Sequence, residues 1–342
     1  MAIYRSKAPL RIGLAGGGTD VSPYSDIYGG SILNATVNLF AYATIIPRYD
    51  SRICFFSHDR KLNSVYDANT HLPIGSEFDL HKGAYNRIVR DFVGNPLSFE
   101  LHTHVDAPAG SGLGTSSTLM VAILAAFAEW LSLPLGEYDL AHLAYEIERI
   151  DLNMAGGKQD QYSATFGGFN FMEFHKEDRV IVNPLRIKRR YIHELESSFV
   201  LYYTGMSRKS AEIIDSQVRN VNQKQSKSIE AMHNVKEQAQ LMKEALLRGE
   251  LHKIGEILNF GWTNKKKMSD NISNDLIDTI YETAMAAGAS GGKVSGAGGG
   301  GFMFFYCPGS SRYNVLEALS QFDGTVYPVQ FIEEGVVSWQ NG

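Results

Sequence analysis

Cysteine is nearly absent: Cys54 and Cys307 are the only two in 342 residues. Two thiols so far apart build no disulfide framework and suit a reducing compartment, so a cytoplasmic location is expected. Long apolar runs are missing too. The longest, Leu119 to Phe127, falls far short of the ~20 residues that span a bilayer. The first residues, Met1-Ala-Ile-Tyr-Arg-Ser-Lys7, offer no apolar segment of the signal-peptide kind. No membrane partner is expected. Positive charge is not in excess, because 32 Lys and Arg stand against 37 Asp and Glu for a net charge of −5. That balance argues against a nucleic-acid partner. No repeat and no low-complexity linker interrupts the chain. The apolar and charged fractions are those of an ordinary globular protein, and the length favours two domains.

What the chain does carry is clustered glycine. The central cluster is Pro108-Ala-Gly-Ser-Gly-Leu-Gly-Thr-Ser-Ser-Thr118, followed by the helix-forming run Leu119 to Leu131. Gly110, Gly112 and Gly114 lack a Cβ, so the backbone there can take positive φ and approach a ligand closely. Thr115, Ser116 and Ser117 are residue types that cap helix starts. A glycine loop feeding a helix N-terminus presents free N–H groups and a positive dipole end, which suits a phosphate. A tight turn before a buried helix is the alternative. No Lys-Ser or Lys-Thr follows the last glycine, which excludes a Walker A loop, and the spacing excludes a dinucleotide fingerprint. A triphosphate here would rest on backbone N–H groups, a metal and distant cations. A hydroxyl at the helix start could join a magnesium shell.

A second cluster, Ile12-Gly-Leu-Ala-Gly-Gly-Gly-Thr-Asp20, follows Arg11. Segments 32–47, 52–57 and 99–105 read as strands. His102 and His104 share a face of the last one, without a third ligand for zinc. A helix over 137–151 has an apolar stripe of Leu140, Leu143, Ala144 and Ile147, with Glu148 at its edge and Glu146 and Arg149 further round. Glycines then bracket a polar run holding Asp160, which reads either as a general base or as a turn residue. The second half reads as a separate α+β unit, with strands at 199–203 and 302–306 and helical periodicity over 211–247, 251–267 and 274–287. Lys265-Lys266-Lys267 reads as a solvated face. A third glycine cluster, Lys293-Val-Ser-Gly-Ala-Gly-Gly-Gly-Gly-Phe302, precedes a strand rather than a helix, which rules out a Rossmann reading. The domain border falls between Phe174 and Leu195, giving units 1–185 and 186–342.

Three glycine clusters in this order, with Gly157-Lys-Gln-Asp160 between the second and third, resemble the GHMP kinases: galactokinase, homoserine kinase, mevalonate kinase and phosphomevalonate kinase. Within that family the likeness is greatest to D-glycero-D-manno-heptose 7-phosphate kinases and then to fucokinases, which are similar in carrying Gly16-Gly-Gly-Thr-Asp20. The resemblance implies an α+β, two-domain GHMP kinase fold, with an N-terminal half like ribosomal protein S5 domain 2 and a ferredoxin-like α/β sandwich at the C-terminus. It implies ATP and Mg²⁺ as cofactors, and transfer of phosphate to the anomeric C1 hydroxyl of the heptose 7-phosphate, for nucleotide-activated heptose synthesis. A sugar phosphate and ATP are the implied partners, with a homodimer left open.

The resemblance also implies roles. Asp160 would be the catalytic base and Arg11 its partner cation. Residues Pro108, Gly110, Ser111, Gly112, Leu113, Gly114, Thr115, Ser116 and Ser117 would wrap the ATP phosphates. Ser116 and Glu148 would ligate magnesium. Gly17, Gly18, Thr19, Asp20 and Gly298 would border the sugar, and Lys158, Arg208 and Lys209 would meet its distal phosphate. The glycines at 17 and 18 prevent transfer of galactokinase's sugar contacts to those positions. A free-sugar kinase such as a fucokinase is a second reading. A non-catalytic ATP and sugar sensor is a third, and a decarboxylase of the mevalonate type fits the polar first motif less well.

Overall fold

The computed structural model describes residues 2–206 and 210–342. Its first sheet is built on β2 (Gly30–Pro47), a long strand with a different neighbour along each half. The sheet order is β12 (Val337–Asn341), β1 (Ile3–Ala15), β2, β5 (Phe99–Val105), β3 (Arg52–Ser57) and β4 (Leu62–Asp67). The start of β2 also pairs with β6 (Phe169–Phe174), which pairs with β7 (Val180–Pro184). Only β3 and β5 run parallel among the described pairs.

The helix Thr115–Leu131 covers this sheet. Residues 120–127 are all buried, so the helix is apolar on every side and lies inside the core. Fully burying one such side chain, Phe127, contributes roughly 1.5–3 kcal/mol.

The second sheet has the order β11 (Thr325–Tyr327), β8 (Phe199–Tyr203), β10 (Phe302–Tyr306), β9 (Gly291–Val294), all antiparallel. With helices between β8 and β9 and between β10 and β11, this is the ferredoxin-like order. Alternate residues of β8 and β10 face opposite sides. Phe199, Leu201, Phe302 and Phe304 join the core that also contains Leu10 and Leu124, whereas Val200, Tyr202, Met303 and Phe305 pack beneath the helices holding Ile277, Ile280 and Val315. One core therefore runs through both halves.

Pairing crosses the border expected at 185 and 186, because β12 returns to pair with β1 and Phe331 bridges Val37. One sequence expectation is corrected here. The helical stretch 211–247 is two helices, Ser210–Asn222 and Ser226–Arg248, parted where Lys224 takes φ of +52°. No helix among the described residues is long and apolar enough to cross a membrane.

Candidate active site

A cavity of about 1170 Å³ opens between the halves, walled by all three glycine clusters. Arg11 enters it from β1, where the β1–β2 register shifts between Pro9 and Arg11. Such irregularities re-aim side chains. Arg11 is 3% exposed and fully engaged. Its Nε donates to Asp160 Oδ1 at 2.8 Å, Nη2 lies 2.7 Å from the same oxygen, and Nη1 donates to Gly112 O at 2.6 Å.

Asp160 lies in the first turn of the helix Gln159–Phe166. That turn is anchored by Asp20, whose Oδ2 accepts the N–H groups of Lys158 at 2.9 Å and Gln159 at 3.0 Å. A Cβ on Gly157 would sit 1.9 Å from this oxygen, which explains the glycine there. Burial pushes the Asp20 carboxyl above its usual range, against the opposing hydrogen bond from Gln159.

The central loop has φ of +71°, +84° and +78° at Gly110, Gly112 and Gly114. Gly114 is itself the N-cap, and no side chain caps the helix Thr115–Leu131. Thr115, Ser116 and Ser117 therefore form its first turn rather than its cap, and the free N–H groups there have no side-chain competitor. Gly110, Gly112, Gly114, Thr115, Ser116 and Ser117 line the cavity. Pro108, Ser111 and Leu113 do not: Ser111 and Leu113 are completely buried, and Ser111 acts through its carbonyl, which accepts Phe302 N–H at 2.8 Å. The third cluster closes on the loop from behind, as Gly296 and Gly112 approach too closely for a Cβ on either. Gly298 takes φ of +118° against Ile272 O, behind the wall.

Glu148 and Arg149 both line the cavity. The helix Glu137–Glu146 widens at its end, where Leu152 N–H bonds to Ile147 O five residues back, and such turns recur at functional sites. Glu148, at the edge of the apolar stripe in sequence, is buried in the fold, and Arg149, further round the helix, faces the cavity beside it. Glu148 is fully buried; Gln161 donates to its Oε2, and its Oε1 has no partner among the described residues. Burial pushes this carboxyl above its ordinary value, while Arg149 and the Ser117 and Gln161 hydrogen bonds pull the other way. Arg87 holds the widened segment through Asp151 at 2.8 Å and Glu146 at 2.9 Å.

Gly18 and Asp20 line the cavity. Gly17 is buried, and Gly17 and Thr19 do not line the cavity; the Thr19 hydroxyl bonds to Gly16 O at 2.9 Å and Ser31 O at 3.0 Å. Lys158 turns to a smaller neighbouring cavity of about 220 Å³, where it ion-pairs with Asp178 at 2.7 Å. It does not face the main cavity. Arg208 and Lys209 lie outside the described residues.

Two residues here escaped sequence reasoning. Lys265, read as part of a solvated run, is 3% exposed and lines the cavity, with its Nζ donating to Gly296 O. Burial and then Arg11 push its amine down to about 8, with Asp20 opposing. Gln217 lines the cavity at 3% exposure. Both lie on buried stripes, Ile254-Ile257-Leu258-Gly261-Trp262-Lys265 and Ile213-Gln217-Val221, and extending each apolar period to its polar member would have found them.

Residues 79–168 match the family model of the GHMP kinases N terminal domain, and residues 242–324 match that of the GHMP kinases C terminal. A D-glycero-alpha-D-manno-heptose 7-phosphate kinase of Campylobacter jejuni subsp. jejuni serotype O:2 is 50% identical over 340 residues, covering 99% of this chain and 100% of the relative. The chain belongs to the GHMP kinase family. This kinase is also similar to a crystal structure of a D-glycero-D-manno-heptose 1-phosphate kinase from Bacteroides thetaiotaomicron, at 50% identity, TM-score 0.85 and 98% of each chain. It shares its fold with a crystal structure of a mevalonate kinase at TM-score 0.76, over 96% of this chain and 99% of the other, with 19% identity. The α+β, two-domain GHMP kinase fold is thus established, and with it the class of ATP-dependent sugar phosphotransferases.

Proposed function

We propose that this kinase phosphorylates the anomeric C1 hydroxyl of D-glycero-D-manno-heptose 7-phosphate, giving the 1,7-bisphosphate. The observation carrying the reading is the Arg11–Asp160 pair at the mouth of an uncapped, glycine-fed helix N-terminus in a two-sided cavity. The half-identical heptose phosphate kinase supports the substrate class.

Phosphoryl transfer needs an in-line hydroxyl and shielding of developing charge. Asp160 orients the acceptor hydroxyl and takes its proton. The hydroxyl oxygen bonds to the γ-phosphorus, the bond to the β–γ bridging oxygen breaks, and ADP leaves. An anomeric hydroxyl is more acidic than an ordinary alcohol, which eases the proton transfer. Arg11 fixes the carboxylate and ties it to the phosphate loop through Gly112 O. N–H groups of the loop and of the first helical turn hold the phosphate oxygens. The unpartnered Oε1 of Glu148 and the hydroxyl of Ser116, which lines the same cavity, are hard oxygen donors that fit magnesium. When bound, that ion would supply neutralisation of the charge on the triphosphate. Arg208 and Lys209 are the cations assigned to the distal phosphate, because arginine's planar fork matches phosphate oxygens.

The test is ADP release with D-glycero-D-manno-heptose 7-phosphate, fucose, galactose and mannose, with the product's phosphorus read by ³¹P NMR. Turnover confined to the heptose phosphate, with a new anomeric phosphate signal, is expected. Turnover of a free sugar in preference would replace the substrate assignment by a free-sugar kinase.

A further inference from the structure

The first motif has glycine at 17 and 18, and the second half of the chain fills the space those glycines leave. A Cβ on Gly17 would lie 3.5 Å from Lys265 Nζ. A Cβ on Gly18 would lie 2.8 Å from Met268 Cε and 3.4 Å from Gln217 Oε1, at a φ of +104° that other residues rarely adopt. No larger side chain fits at Gly18 without displacing Met268 and Gln217. Where the glycines offer no side chain, the polar groups Lys265 and Gln217 come from across the domain interface and join Arg11 and Asp20 of the first half.

Both groups have bonding capacity to spare. The Lys265 ammonium has three donors, of which Gly296 O takes one. Gln217 is a mostly buried residue that lines the cavity, and no hydrogen bond of its amide is found among the described residues. Gln217 offers a donor and an acceptor, and Lys265 offers donors only. Together they match a polyol, whose hydroxyls both donate and accept. Both reach the turn that leads into Asp20, Lys265 Nζ at Gly17 and Gln217 Oε1 at Gly18, and Arg11, Asp20, Lys265 and Gln217 all line the same cavity.

We infer that Lys265 and Gln217 are specificity-determining residues that hold the acceptor's hydroxyls adjacent to the one phosphorylated. This rests on the sugar-kinase reading above and deepens it by naming which side chains select the sugar. Steady-state ADP release is measured at saturating magnesium-ATP with the acceptor varied, for Lys265→Met, Gln217→Leu and the wild type. The expected result is a rise of tenfold or more in acceptor KM for each variant, with ATP KM within twofold and kcat within about threefold. Gln217→Leu also narrows the preference for the best acceptor over mannose. Unchanged acceptor KM in both variants overturns the inference. So does a fall in kcat alone, which would put Lys265 on the transferred phosphoryl group. Lys265→Gln and Gln217→Asn give the same readout if either first variant fails to fold.

The acceptor used is whichever sugar the wild type turns over best. A wrong heptose assignment then changes only the compound in the assay, while a wrong inference shows as an unmoved acceptor KM. Calorimetric acceptor binding in the presence of ADP reads the same distinction without turnover. Weaker binding in the variants is expected, and equal binding overturns the inference.

Discussion

Arg11 and Asp160, 149 residues apart in the chain, meet at 2.8 Å, and the same guanidinium grips the carbonyl of Gly112. The proposed base, its cation and the phosphate loop are therefore one hydrogen-bonded unit. A shift in any of the three moves the acceptor relative to the phosphate, and misplacement by about 1 Å can cost on the order of 10²-fold in rate.

Gly112→Ala tests the loop. Its Cβ would sit 2.5 Å from Ser295 O at a φ of +84°. Backbone strain alone costs about 1–3 kcal/mol, and the clash pushes the third glycine cluster away. A lower melting temperature and a higher ATP KM are expected. Gly94→Ala is the control, since Gly94 also has positive φ, +77°, but nothing within 4 Å of the added Cβ. It should show the strain in its melting temperature and leave ATP KM unmoved.

Glu148→Gln keeps the shape and the Gln161 neighbour but removes the charge. Activity should fall, and half-saturation by magnesium should rise tenfold or more when the ion is titrated at fixed ATP. Equal magnesium dependence in the two proteins would remove Glu148 from the proposed metal site.

Lys265 gives a prediction in pH. Its amine titrates near 8 in the fold and at its ordinary value of 10.5 when unfolded. Between those values the unfolded chain holds more protons, so this group's contribution to stability rises with pH. The full cost is present below pH 8, where burial and Arg11 oppose the charge and Asp20 only partly compensates. Lys265→Met is therefore expected to be more stable than the wild type at pH 7 by on the order of 1–3 kcal/mol, after the lost bond to Gly296 O. That advantage should shrink as pH climbs from 8 towards 10.5, measured by denaturant melts at each pH.

The pairing across the border at 185 has its own test. A fragment of residues 1–185 lacks β12, so Ile3 to Lys7 lose their partners Val337 to Asn341 and β1 becomes an open edge. It also lacks Leu201, Phe302 and Phe304 from the shared core. Such a fragment should aggregate or stay unfolded, an outcome that far-UV circular dichroism and size-exclusion chromatography report.

Strands 52–57, 99–105, 199–203 and 302–306 were legible from β-branched and aromatic runs, and the structure returns them with those bounds. β12 and β4 were not, because edge strands such as Leu62–Asp67 bury few of their residues and carry little apolar signal. Arg11, Asp20, Gly112, Gly114, Ser116, Glu148 and Asp160 do share one cavity, since glycine clusters mark close backbone approach in any fold. Lys158, Thr19, Ser111 and Gly298 do not face it. Which way a side chain leaves a glycine-rich turn depends on φ values and on partners such as Asp178 that are distant in sequence. Lys265 and Gln217 were hidden for the converse reason, as a polar residue closing an apolar stripe looks like the start of a solvated face.

The most direct test of the account is Asp160→Asn. Asparagine still accepts from Arg11 but cannot take a proton at neutral pH. The account predicts a fall in kcat of roughly 10²–10⁴-fold, with calorimetric ATP affinity and melting temperature close to wild type. Activity within a few-fold of wild type would contradict it, leaving Asp160 as a capping residue and the acceptor's proton to another group.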